Sequence, residues 1–168
     1  VAIALINADA PAELPVPVAG IRANEVRDSW GSPRPGGRHH QGIDIFAPRG
    51  RPIVSATRGI VATVGHNRLG GRIVRVLGPG GYWHYYAHLE SFGPEHEGDV
   101  IEQGAILGYV GNSGDAVGTP THLHYGIYHF RGGAVNPYQF ITTRSGLAFS
   151  PQLDDSKEIA HGDQARSH

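Results

Sequence analysis

Between Gly50 and Phe130 the chain alternates short apolar runs with glycine-rich turns: "RPIVSA", "GIVATVGH", "GRIVRVLGPGGYWHYYAHL", "GAILGYVGNSG" and "THLHYGIYHF". Each run has the length of a strand, is rich in Val, Ile, Tyr and Trp, and is bounded by Gly, Pro, Asn or Ser. "RIVRVLGPGGYWHYYAHL" predicts a hairpin turning at Gly78-Pro79-Gly80-Gly81. No stretch sustains a helical apolar period, and the one helix candidate is "NPYQFITT", from Asn136 onward. The pattern predicts an all-β, mostly antiparallel domain over residues 21–145. Residues 1–20, "VAIALINADAPAELPVPVAG", read as an extended leader punctuated by proline, and residues 146–168 as a polar, mobile tail with little to bury.

Alternation along a strand returns residues i and i+2 to one face. In "THLHYGIYHF" this groups His122, His124, Gly126 and Tyr128 against Leu123, Tyr125, Ile127 and His129. In "YWHYYAHL" it groups Tyr82, His84, Tyr86 and His88 against Trp83, Tyr85, Ala87 and Leu89. Both strands are therefore expected to carry imidazoles and phenols on a working face, with His84 beside His88.

Composition narrows the chemistry. The 168 residues contain no Cys and 11 His, so a metal would be held by imidazole and carboxylate rather than thiolate. The formal net charge of −1 offers no basic footprint for nucleic acid, and no apolar run is long enough to span a bilayer. No Met occurs, which reads as a processed product or excised domain.

Within "RHHQGIDIFAPRG", His40 and Asp44 lie four apart and return to one side of an extended segment, whereas four residues after His39 comes Ile43. His122 and His124 stand roughly 6–7 Å apart along their strand, and alternation alone does not say which of them joins His40 and Asp44. Two imidazole nitrogens, one carboxylate oxygen and an open fourth position make the arrangement of a catalytic zinc. Taken singly, H-x-x-x-D and H-x-H also occur as hydrogen-bonded surface histidines.

In order along the chain, "PVAG", "DSWGSPR", "GRHHQGIDIFAPRGRPIVSATRGIV", "YYAHL", "GDVIEQGAILGYVGNSGDAVGTPTHLHYGIY" and "VNP" resemble the LytM or lysostaphin-type zinc metalloendopeptidases. The resemblance implies a groove across a β-sheet and one Zn2+ held by His40, Asp44 and His124. It implies His122 as general base and His88 as a second active-site histidine that positions water and stabilises the transition state. The implied partner is the peptide of peptidoglycan, in the periplasm, cell envelope or outside the cell. Its D-alanyl-diaminopimelate cross-link is favoured over glycine bridges.

Three rival readings remain. One is a non-catalytic activator or binding module of cell-wall hydrolases. Another is an enzyme autoinhibited by residues 1–25, through Asp9, Glu13 or Asn24. The third is a carbohydrate-binding β-domain using Trp30, Trp83 and the tyrosines. His39, His66, His84, His96, His129, His161 and His168 match no role in the family, although His84 shares the His88 face.

Overall fold

A computed structural model describes residues 1–141; the expected tail, 146–168, lies outside them. The elements are α1 (Ala2–Ile6), β1 (Pro33–Arg34), β2 (Arg38–His39), β3 (Ile43–Phe46), β4 (Pro52–Val54), β5 (Gly59–Asn67), β6 (Gly71–Leu77), β7 (Tyr82–Phe92), β8 (Val100–Ile101), β9 (Ile106–Val110), β10 (His122–His129), β11 (Gly133–Val135) and α2 (Tyr138–Ile141). All pairings among the described residues are antiparallel, as the alternating runs implied. The expected hairpin is β6–β7, and the helix candidate starts as α2.

One large sheet runs β11-β10-β7-β6-β5-β8, with β3 added beside β10 and β9 beside β7. Strand β10 lies between β3 and β7: His124 is registered against Asp44 on one side and Ala87 on the other. One sheet face packs on a core that includes Ile43, Ile45, Val74, Val76, Tyr86, Leu89, Leu123, Tyr125 and Ile127. The other face is the floor of a groove.

Residues 1–20 are more than an extended leader. Residues 2–6 form the short α1, and Leu14, Val16 and Val18 are buried in the core. Val18 bridges to Ile53, and Leu14 N–H donates to Phe140 O. The proline spacing concealed an apolar alternation, Leu14-x-Val16-x-Val18, that an edge segment uses to cover the sheet.

Strand β7 reverses the expected facing. Directly opposed residues on paired strands point to the same side, so Tyr86, opposite Tyr125, and His84, opposite Ile127, follow them into the core. His84 is 2% exposed and Tyr86 fully buried, whereas Tyr85 and Ala87 line the groove. Burying these polar rings is tolerated because their polar atoms are bonded. The Tyr125 hydroxyl lies 2.7 Å from His84 Nδ1, and Tyr86 Oη accepts from Ala56 N–H at 2.9 Å. Desolvation holds His84 neutral, with its pKa lowered to about 3. "YWHYYAHL" carries aromatic rings on both faces, so its pattern has too little contrast to orient it.

His88 nevertheless reaches the groove. Val74 opposes Tyr86 but Arg72 opposes Leu89, so β7 carries one extra residue, a bulge. His88 within it has φ 66°, and no other non-glycine residue among those described has a positive φ. The bulge places Ala87 and His88 both on the groove side and returns Leu89 to the core.

Candidate metal centre and groove

Four chain segments converge on the floor of the groove. His40 follows β2, Asp44 sits in β3, His122 and His124 start β10, and His88 comes from the β7 bulge. His40 Nε2 lies 2.8 Å from His124 Nδ1 and 3.1 Å from Asp44 Oδ1, and His124 Nδ1 is 3.4 Å from Asp44 Oδ1. Donors around a tetrahedral zinc stand about 3.3 Å apart, given metal–nitrogen bonds near 2.0–2.1 Å. The trio therefore fits a divalent ion, and its two nitrogens and one oxygen suit zinc chemistry. His122 Nε2 is 3.8 Å from Asp44 Oδ1, outside the tight trio.

Each ring is oriented from behind. His40 Nδ1 lies 2.8 Å from Ser29 O, His122 Nδ1 2.8 Å from Pro120 O, and His88 Nδ1 2.8 Å from Ser113 O. A carbonyl only accepts, so each Nδ1 carries a proton and each Nε2 faces the groove, with its lone pair free in the neutral ring. His124 is turned the other way, with Nδ1 forward. Gly42 makes this packing possible: a Cβ there would stand 2.6 Å from Tyr125 O and 2.7 Å from His124 Cε1.

Asp44 is held at three points. Its N–H donates to Ser29 Oγ at 3.0 Å, Arg34 donates to Oδ2 at 2.6 Å, and Oδ1 faces the histidines. Burial alone would raise its pKa. The facing nitrogens of His124 and His40, when they carry a proton, and the Arg34 bond together outweigh burial and hold the carboxyl well below the usual range. Burial pushes His124 down, against the Asp44 hydrogen bond. His88 is also lowered, mainly by burial, with the Ser113 bond opposing.

The groove has a volume of about 960 Å³. The 34–41 segment forms one wall, and residues 67–70 with 115–119 form the other. Tyr85, Ala87 and Tyr128 floor it between the histidines and β7. No residue of 1–25 is among those lining it.

All five histidine and aspartate positions singled out from sequence thus meet in one groove. His84, expected beside them, does not. Pattern reasoning did not single out Ser29, Arg34 or Ser113, which orient the site; all three lay within quoted motifs, where no spacing rule marks a residue that orients a ligand.

The site is thus a groove lined by histidines and an aspartate on a mostly antiparallel sheet. The chain belongs to peptidase family M23, whose profile matches residues 38–137. It is 41% identical over 114 residues to an L-Ala--D-Glu endopeptidase of Bacillus subtilis, covering 63% of this chain and 35% of that protein. It is 33% identical over 118 residues to the DD-carboxypeptidase/endopeptidase Mpg of Neisseria meningitidis, covering 70% of this chain and 25% of that one. The catalytic domain of the antimicrobial peptidase lysostaphin from Staphylococcus simulans superposes with a TM-score of 0.62 at 25% identity, covering 70% of this chain and 93% of that domain. The chain spans about a third or less of the lengths of the two relatives matched by sequence.

Proposed function

We propose that this chain is a zinc-dependent endopeptidase acting on peptidoglycan peptides in the cell envelope or outside the cell. The observation that carries the reading is the convergence of His40 Nε2, Asp44 Oδ1 and His124 Nδ1 within 3.4 Å of one another, beside two further imidazoles. These three residues would hold the metal. When bound, zinc supplies Lewis-acid polarisation of the scissile carbonyl and makes a water acidic near neutral pH.

The residues supply the proton chemistry. His122, its Nδ1 proton committed to Pro120 O, accepts the water proton at Nε2 as the water oxygen attacks the carbonyl carbon. It then returns that proton to the amine nitrogen as the C–N bond breaks. His88, its Nδ1 proton committed to Ser113 O, accepts a hydrogen bond at Nε2 and orients the attacking water. Its lowered pKa favours that neutral form. The groove walls confine an extended peptide across these atoms.

Among the bonds available, the D-alanyl-diaminopimelate cross-link is favoured over glycine bridges. The name of the Bacillus subtilis relative adds the L-Ala–D-Glu bond as a second candidate. Digestion of diaminopimelate-type and glycine-bridged walls, read by mass spectrometry, identifies the bond. His122→Ala should keep zinc and lose cleavage. Zinc binding without cleavage of any wall material would establish the rival activator reading instead.

A further inference from the structure

The groove carries positive charge that the metal trio does not account for. Arg34 and Arg38 stand on one wall and Arg68 on the other, against only Asp44 and Asp115 among the acidic lining residues. Arg34 is committed to Asp44. Neither Arg38 nor Arg68 pairs with a carboxylate among the described residues. This local excess contrasts with a whole-chain formal net charge of −1.

Both guanidiniums are mounted on braced backbone. Arg38 lies directly opposite Arg34 in the β1–β2 ladder, and Asp44 neutralises only the Arg34 member of this like-charge pair. Arg38 Nε donates to Pro35 O at 3.1 Å, which leaves the terminal NH2 groups for a ligand. Arg68 follows Asn67, whose Oδ1 accepts from Gly70 N–H at 2.6 Å and whose Nδ2 donates to Tyr85 Oη at 3.0 Å. The turn carrying Arg68 is thereby tied to the groove floor.

We infer that Arg38 and Arg68 hold free carboxylates of the substrate on the two sides of the metal trio, and so select an acidic peptide over a neutral one. The inference rests on the peptidoglycan reading. A γ-linked D-glutamate keeps its α-carboxylate and a diaminopimelate residue keeps one of its own, whereas oligoglycine bridges offer none within the chain. A guanidinium fork matches a carboxylate in two parallel hydrogen bonds. The two arginines are specificity-determining residues and take no part in moving the proton.

The test uses two synthetic stem peptides that differ only in whether these carboxylates are free or amidated. Binding of each is measured calorimetrically to the zinc-loaded chain carrying His122→Ala, alone and combined with Arg38→Gln or Arg68→Gln. The free acid should bind about tenfold tighter than the amide, equal to one decade in Kd. Each arginine substitution should weaken acid binding, shrink that ratio toward one and leave the amide unaffected; added salt should weaken only the acid. Equal binding of acid and amide, or equal losses on both peptides, overturns the inference. In parallel, the chain with His122 intact is assayed for cleavage of both peptides. Discrimination without cleavage overturns the hydrolase reading alone; cleavage of both with equal KM overturns only the charge selection.

Discussion

His40 Nε2 and His124 Nδ1 approach to 2.8 Å although 84 residues separate them in the chain. With the His40 Nδ1 proton on Ser29 O, Nε2 is a lone pair, so a second lone pair on His124 facing it would repel. The contact therefore needs either a hydrogen on His124 Nδ1, donated to His40 Nε2, or a metal ion that takes both lone pairs.

Zinc and a proton should therefore compete for this position. Zinc affinity is expected to rise with pH, by about tenfold per unit where one proton is displaced. Chelator competition between pH 5.5 and 8 measures it, and affinity independent of pH would contradict that competition. Asp44→Ala and His124→Ala should leave the purified protein with under a tenth of the wild-type zinc content.

Arg34 engages Asp44 Oδ2 and leaves Oδ1 toward the imidazoles. Arg34→Ala should free the carboxylate to rotate and lower zinc affinity by about 10–100-fold, the usual effect of removing a group that orients a ligand. Arg34→Lys should recover part of that loss. Unchanged affinity in Arg34→Ala would show that β3 alone orients Asp44.

The left-handed backbone at His88 is a local cost kept for placing its ring. His88→Ala and His88→Gly both remove the ring and its Ser113 bond, so their difference isolates the backbone. The glycine variant should be the more stable by about 1 kcal/mol in urea unfolding, with both variants impaired in cleavage. Equal stability would place no strain at this position.

His84 makes stability depend on pH. In the fold its pKa lies at about 3, below the ordinary value of 6.5, because burial disfavours the charged ring. Below pH 6.5 the unfolded chain binds a proton that the folded chain does not. The contribution is thus fully present above that pH and is lost as pH falls toward 3, at about 1.4 kcal/mol per unit. His84→Gln should flatten the wild-type slope between pH 6 and 4; parallel curves would refute it.

The N-terminal segment supports the sheet and lies away from the groove-lining residues. Leu14→Ala should cost about 3 kcal/mol as a buried leucine. Removing residues 1–12 should leave the cleavage rate unchanged. A several-fold rise would revive autoinhibition by this segment.

Much of this was legible along the chain. The strand lengths, the β6–β7 hairpin and the partition of β10 into a histidine face and an apolar face follow from period-2 alternation, which needs only local geometry. His40 and Asp44 were separable from His39 by the same rule, because both sit on one extended segment. Tertiary structure decided the rest. Which face of β7 turns inward depended on its register with β10, where Tyr86 had to join Tyr125, and no alternation of rings with rings reveals a partner strand. His88 reaches the groove only through an extra residue in the ladder, and His40 meets His124 only because β3 pairs with β10. Periodicity is a property of neighbours in sequence; register, bulges and the carbonyls that fix each imidazole are properties of segments brought together by folding.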